Sequence, residues 1–130
     1  MNLGTALLEE ALAADADATA LVCGERRWSF AELDRQAGRV AAALAAYGVR
    51  RGDRVAIVME SRPEYVATLL GCARIGAVLT TVHLDFRAGE MRYIAESSEP
   101  SCFVVDATGA AALTAAGFDS ETMAPVLELG

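Results

Sequence analysis

The sequence predicts an α/β fold, a mostly parallel sheet with helices on both faces. Short apolar runs begin near residues 54, 78, 102 and 126, and a helix-compatible segment fills each interval. Runs recurring about every 24 residues with a helix between them are the pattern of successive right-handed βαβ units. The rhythm is architectural, with no sequence repeat to suggest a solenoid.

Taken in order, residues 5–14 place Leu7, Leu8 and Leu12 on one face at helical spacing, with Glu9 and Glu10 turned away. Ala20 to Cys23 and Arg26 to Trp28 flank Gly24-Glu25, a hairpin signal because glycine permits the positive φ of a tight turn. Ser29-Phe30-Ala31-Glu32 reads as a capping box, in which the hydroxyl accepts from the amide of Glu32 and Glu32 reaches back to Ser29. Leu33, Ala37, Val40, Ala41 and Leu44 then form a buried stripe that ends at Gly48.

Arg50-Arg51-Gly52-Asp53 makes a turn, since Asp can hydrogen-bond its own neighbouring backbone, and leads into the continuous apolar strand 54–59. Pro63 suits the first turn of a helix over 63–75, closed by Gly76. A strand over 78–82, a loop over 83–87 and a helix over 88–98 with Met91, Ile94 and Ala95 inward follow. Pro100 precedes the strand Cys102–Val105, residues 108–116 form an Ala-rich helix, and 126–129 offer one more strand. The whole of 1–130 reads as a single α/β unit, with 118–130 as a poorly ordered or newly exposed tail.

Composition narrows the function. A formal charge of −7, from 11 basic and 18 acidic residues, disfavours nucleic acid and anionic membrane as partners. The N-terminus carries Glu9 and Glu10 where a secretory signal needs a basic start and an uninterrupted apolar core, and no run reaches the roughly 18 apolar residues of a membrane span. A cytoplasmic location is expected. Cys23, Cys72 and Cys102 contain no C-x-x-C pair and read as reduced, buried, small apolar residues.

All 11 basic residues are Arg and His83 is the single histidine, so a Lys-dependent phosphate loop, a Schiff base and a two-His metal site are excluded within these residues. G-x-G-x-x-G is absent as well. Ligands of an open α/β sheet bind beyond the carboxyl ends of its strands, here near 60–62, 83–87 and 106–109. His83 with Asp85 two residues on is the one acid–base candidate, yet no partner nucleophile is evident, and a loop histidine satisfying backbone groups is favoured. Arg74 near a helix end complements the helix dipole, and Arg92 pairs with Glu96 at i+4. No catalytic or metal-binding residue is assigned.

The ordered strings Trp28-Ser29-Phe30-Ala31-Glu32-Leu33, Arg39-Val40-Ala41 and Gly48-Val49-Arg50-Arg51-Gly52-Asp53-Arg54-Val55-Ala56-Ile57 go further. With Ser61-Arg62-Pro63-Glu64-Tyr65-Val66, Gly76-Ala77-Val78 and the stretch Thr81 to Ile94, where Glu90, Met91 and Tyr93 fall on E-L-x-Y positions, the chain resembles the N-terminal segment of the adenylate-forming superfamily. That group comprises acyl-CoA synthetases, aryl-acid ligases and the adenylation domains of peptide synthetases. The resemblance spans 18–106, and its most specific block is scaffold: a helix cap, a turn and a strand.

The resemblance implies activation of a fatty or other carboxylic acid with ATP and Mg²⁺ to an acyl-adenylate, then transfer to the thiol of CoA or of a carrier protein's phosphopantetheine arm. It also implies a Ser/Thr/Gly-rich loop ending in Lys, an acidic metal ligand, a ribose-binding Asp and a catalytic Lys, none of which occurs here. The isolated chain is therefore expected to be inactive and to bind no cofactor alone. Its expected partners are the remainder of the ligase or a complementing chain, with a homodimer through uncovered apolar surface as a further expectation. Where relatives read P-x-N-P-R-L, this chain has Thr81-Val82-His83-Leu84-Asp85-Phe86. His83, Asp85 and Arg87 form the expected acceptor loop; Asp85 stands at a basic position of CoA-using relatives and would repel a phosphate, while Arg87 could compensate, which favours a carrier protein. The alternatives are a non-catalytic partner module of a split adenylating enzyme, a degenerate stand-alone domain, or an unrelated α/β nucleotide binder.

Overall fold

A computed structural model describes residues 3–119 and 124–130. Helix α1 runs Leu3–Asp15, with Leu8 buried, Leu12 half-buried and Glu9 and Glu10 exposed; the side chain of Leu7 lies outside the described set. Strands β1 (Thr19–Cys23) and β2 (Arg26–Ser29) pair antiparallel around Gly24, at φ 59°, as a two-stranded sheet of their own. A register shift between Thr19 and Leu21 bends β1.

Helix α2 (Phe30–Ala46) starts where Ser29 Oγ accepts from the amide of Glu32 at 3.1 Å. The reciprocal half of the expected box is replaced: the Glu32 carboxylate accepts from Gln36 Nε2 at 2.9 Å and pairs with Arg35. Both partners lie one turn ahead on the same helix face. Leu33, Ala37, Val40 and Leu44 are buried as expected, whereas Ala41 is only half-buried. The amide of Val49 returning to Leu44 O at 3.0 Å, with Gly48 at φ 87°, closes the helix in a Schellman turn.

The turn after it is tied by Asp53, whose Oδ2 accepts from the Arg50 amide at 2.8 Å. Strand β3 (Arg54–Val58), helix α3 (Pro63–Ile75), strand β4 (Val78–Thr81), helix α4 (Ala88–Ser97), strand β5 (Cys102–Val105), helix α5 (Ala107–Ala115) and strand β6 (Val126–Glu128) complete the chain. Met91 and Ala95 of α4 are buried, with Ile94 half-buried. Within 118–130, β6 pairs with β5, and residues 120–123 of the expected tail lie outside the described set.

The second sheet has order β4-β3-β5-β6 and is parallel throughout. Side chains alternate across it, so each central strand feeds two cores. Val55, Ile57, Cys102 and Val104 face α1, α2, α3 and Trp28 of the hairpin. Ala56, Val58, Phe103 and Val105 face α4 and α5 through Met91, Ala95, Leu113 and Ala116. Burial on both sides explains why β3 and β5 read as continuous apolar runs.

Helices α2 and α3 approach at Gly71, where a Cβ would stand 3.0 Å from both Ala37 O and Val40 Cβ. Arg74 crosses the same contact to Asp34 of α2, Nη2 to Oδ1 at 2.5 Å and Nη1 to Asp34 O at 3.0 Å. It therefore links two helices in addition to lying at a helix C-terminus, a role set by tertiary packing. Arg92 Nε meets Glu96 Oε1 at 3.0 Å, as the i+4 spacing predicts. Among the described residues, no helix is long and apolar enough to cross a membrane.

Candidate functional site at the carboxyl edge of the sheet

The parallel strands end together, and their last carbonyls and following loops form one edge. There a cleft of about 410 Å³ opens between the segment after β3, including Glu60 and Ser61, and the segment after β4, including His83 and Asp85. Tyr65 and Thr81 both line it, with Tyr65 Oη 3.0 Å from Thr81 Oγ1, a side-chain bond between α3 and β4. The Val82 amide donates to Ile57 O at 2.9 Å and extends the β3–β4 pairing to the cleft.

The structure places His83 and Asp85 on the cleft wall, both exposed, and Arg87 at the N-cap of α4. The His83 ring sits edge-on to Phe86, with centroids 5.1 Å apart at 81°. Its carbonyl accepts from the Phe86 amide at 3.2 Å, so the loop is a tight turn held by backbone and ring contact. This arrangement fits a structural histidine better than a general base, which needs an orienting carboxylate and a proton donor in reach.

Two buried carboxylates and two partly exposed arginines form a charge network behind the cleft that sequence reading missed. Asp106 is 1% exposed and caps α5: Oδ1 accepts from the Gly109 amide at 2.7 Å and Oδ2 from the Glu60 amide at 3.1 Å. One carboxylate thus ties the loop after β3 to the helix after β5. Arg62 Nη1 lies 3.7 Å from Asp106 Oδ2, and Arg62 Nε lies 3.2 Å from Glu64 Oε2. Arg26 closes on Glu64 from the hairpin, with Nη2 to Oε1 at 2.5 Å. The signal that marks Asp106 is an Asp directly after an apolar strand with Gly three residues on, an N-cap pattern.

Burial alone would raise the Glu64 carboxyl, but the Arg26 hydrogen bonds, its own backbone amide and the charges of Arg62 and Arg26 outweigh it and hold it below the ordinary carboxylate range. Cys72 and Cys102 are buried, and burial pushes their thiols up to about 12 and about 11. Cys23 departs from the expected burial, being only half-buried.

Chemically the edge is a supporting frame. Its charged cleft groups, Glu60 and Asp85, would repel a triphosphate, and no Lys stands anywhere in the sequence to oppose them. The lining of this cleft does not fit a triphosphate. Among the described residues, no cluster of three or more His, Cys, Asp or Glu side chains could hold a metal ion.

Comparison with known proteins agrees with this frame. The family described as "AMP-binding enzyme" matches residues 8–128. A medium/long-chain-fatty-acid--CoA/3-oxocholest-4-en-26-oate--CoA ligase of Mycobacterium marinum is 36% identical over 93 residues, 72% of this chain and 17% of the relative. A 3-hydroxybenzoate--CoA ligase of an Aromatoleum species is 39% identical over 92 residues, 71% of this chain and 18% of the relative. The chain thus spans under a fifth of the length of these curated relatives. Among solved structures, a fatty acyl CoA synthetase of Mycobacterium tuberculosis superposes with a TM-score of 0.86 at 25% identity, over 98% of this chain and 26% of that one. An anthranilate CoA ligase in complex with anthranoyl-AMP gives a TM-score of 0.87 at 22% identity, over 98% and 25%, and shows the shared fold. With the match running nearly end to end, the chain belongs to the AMP-binding enzyme family and is similar to the N-terminal part of adenylate-forming ligases.

Proposed function

We propose that this chain is the N-terminal part of an ATP-dependent acyl-activating ligase, which joins a carboxylic acid to AMP and then passes the acyl group to a thiol. The observation that carries the reading is the family match over 8–128, which includes both walls of the carboxyl-edge cleft. The chain's own residues build and brace one side of the site. Asp106 fixes the loop bearing Glu60, and the Tyr65–Thr81 bond fixes the opposite wall.

The triphosphate, metal and catalytic Lys belong to segments outside these residues, so the chain alone is inactive. Its partner is the remainder of the ligase, in the same polypeptide or in a complementing one. The fatty-acid and aryl-acid names of the relatives support a hydrophobic carboxylic acid as substrate. Those same names support CoA as the thiol, against the carrier protein that Asp85 alone would favour.

The test is to read the coding sequence on either side of these residues and assay the encoded protein. A reading frame, or a co-transcribed partner, that encodes a Ser/Thr/Gly-rich loop with Lys and forms acyl-CoA from a fatty or aryl acid with ATP supports the proposal. A protein that has no such loop in either place and forms no thioester contradicts it and leaves a non-catalytic module.

A further inference from the structure

The hairpin and the cleft are tied by one line of charges. Arg26 on β2 donates to both Glu64 oxygens, Nη1 to Oε2 at 3.2 Å and Nη2 to Oε1 at 2.5 Å. Glu64 Oε2 meets Arg62 Nε at 3.2 Å, and Arg62 Nη1 lies 3.7 Å from Asp106 Oδ2. That same Asp106 oxygen holds the Glu60 amide at the cleft wall. The two acidic side chains are 11% and 2% exposed: Asp106 is closed off from water, and Glu64 borders a cleft that Arg26 covers. A largely buried carboxylate that loses one cation is left under-compensated, which favours a shift toward its remaining partners.

Trp28, Ala20 and Leu21 pack the hairpin onto the core, and the packing is open on one side of the line. An apolar groove of about 280 Å³ lies between β1, at Leu21 and Val22, and the start of α3, at Pro63 and Val66. Among the described residues, the hairpin forms its own sheet and shares no strand pairing with the parallel one. Its firmest polar hold on the main body is the bidentate Arg26–Glu64 pair, which the Trp28 ring backs at 5.7 Å from the Arg26 guanidinium carbon.

We propose that Arg26, Glu64, Arg62 and Asp106 act as a coupling rod that transmits movement of the β1–β2 hairpin to the Glu60 loop of the carboxyl-edge cleft. The coupling holds whatever ligand the cleft takes.

Amide hydrogen exchange on the 130-residue chain tests it, with Arg26→Met, Arg62→Met and the double variant compared at one pH. Arg26 touches neither Glu60 nor Asp106, yet R26M is expected to speed exchange of the Glu60 amide about five-fold while Val104 in β5 is unchanged. The double variant is expected to exchange Glu60 at the rate of R62M, because both substitutions break the same line. A Glu60 rate within about two-fold of wild type in R26M, or additive effects in the double variant, overturns the proposal. If R62M does not fold, the Glu60 rate in R26M alone decides between the two outcomes.

Discussion

Gly109 lies against the carbonyl of Val58 so closely that a Cβ at this position would stand 1.7 Å from the carbonyl oxygen. The first turn of α5 is thereby pressed onto the end of β3, within reach of the Asp106 cap. Val58 cannot retreat without breaking its pairing with Val105, and the Asp106 cap holds Gly109 against it. Gly109→Ala should destabilise the chain by about 3 kcal/mol, read as a lowered urea midpoint. Gly89→Ala is the control: a Cβ there meets nothing within 4 Å, and the exchange should leave stability unchanged or raise it by about 0.5 kcal/mol.

Asp106→Ala removes the α5 cap and strands the Glu60 amide, and it leaves Arg62 facing an apolar methyl. The expected loss is about 2–3 kcal/mol in urea unfolding. Asp106→Asn keeps an acceptor for one amide and should lose less.

Much of this frame is legible in the sequence because its causes are local. Pro63 and Gly76 bracket α3, Ser29 starts α2, and the run from Val55 to Val58 is apolar because both faces of β3 are covered. The charge network was not legible. Arg26 and Glu64 are 38 positions apart and Glu60 and Asp106 are 46 apart; the β3–β5 pairing brings the second pair together, and packing of the separate hairpin against the start of α3 brings the first. Resemblance marks the loop 83–87 in the sequence, where a structural role is favoured for His83; the ring contact that holds it, with Phe86 three residues on, was not legible there.

Acid should weaken the Glu64 links. Its carboxyl lies below the ordinary range in the folded chain, so the unfolded state takes up a proton first as pH falls. The stabilisation is fully present above the unfolded value of about 4.3 and is lost as pH drops through the lower folded value. Glu64→Gln should therefore be less stable than the parent at pH 7, with the gap narrowing toward pH 3 in urea titrations.

Thiol labelling should separate the three cysteines. Cys72 and Cys102 are buried, with their thiols raised to about 12 and about 11, and should stay unreactive to a disulfide reagent at pH 8 until the chain unfolds. Cys23, half-buried beside the apolar groove, should label first, and Cys23→Ser should abolish the fast phase.

We propose these residues as the brace of an acyl-activating site whose reacting groups lie in other segments. Pyrophosphate release measures it most directly, with the purified chain given ATP, Mg²⁺ and a panel of fatty and aryl acids. The prediction is no release above a protein-free control; sustained, acid-dependent release by these 130 residues alone would contradict it.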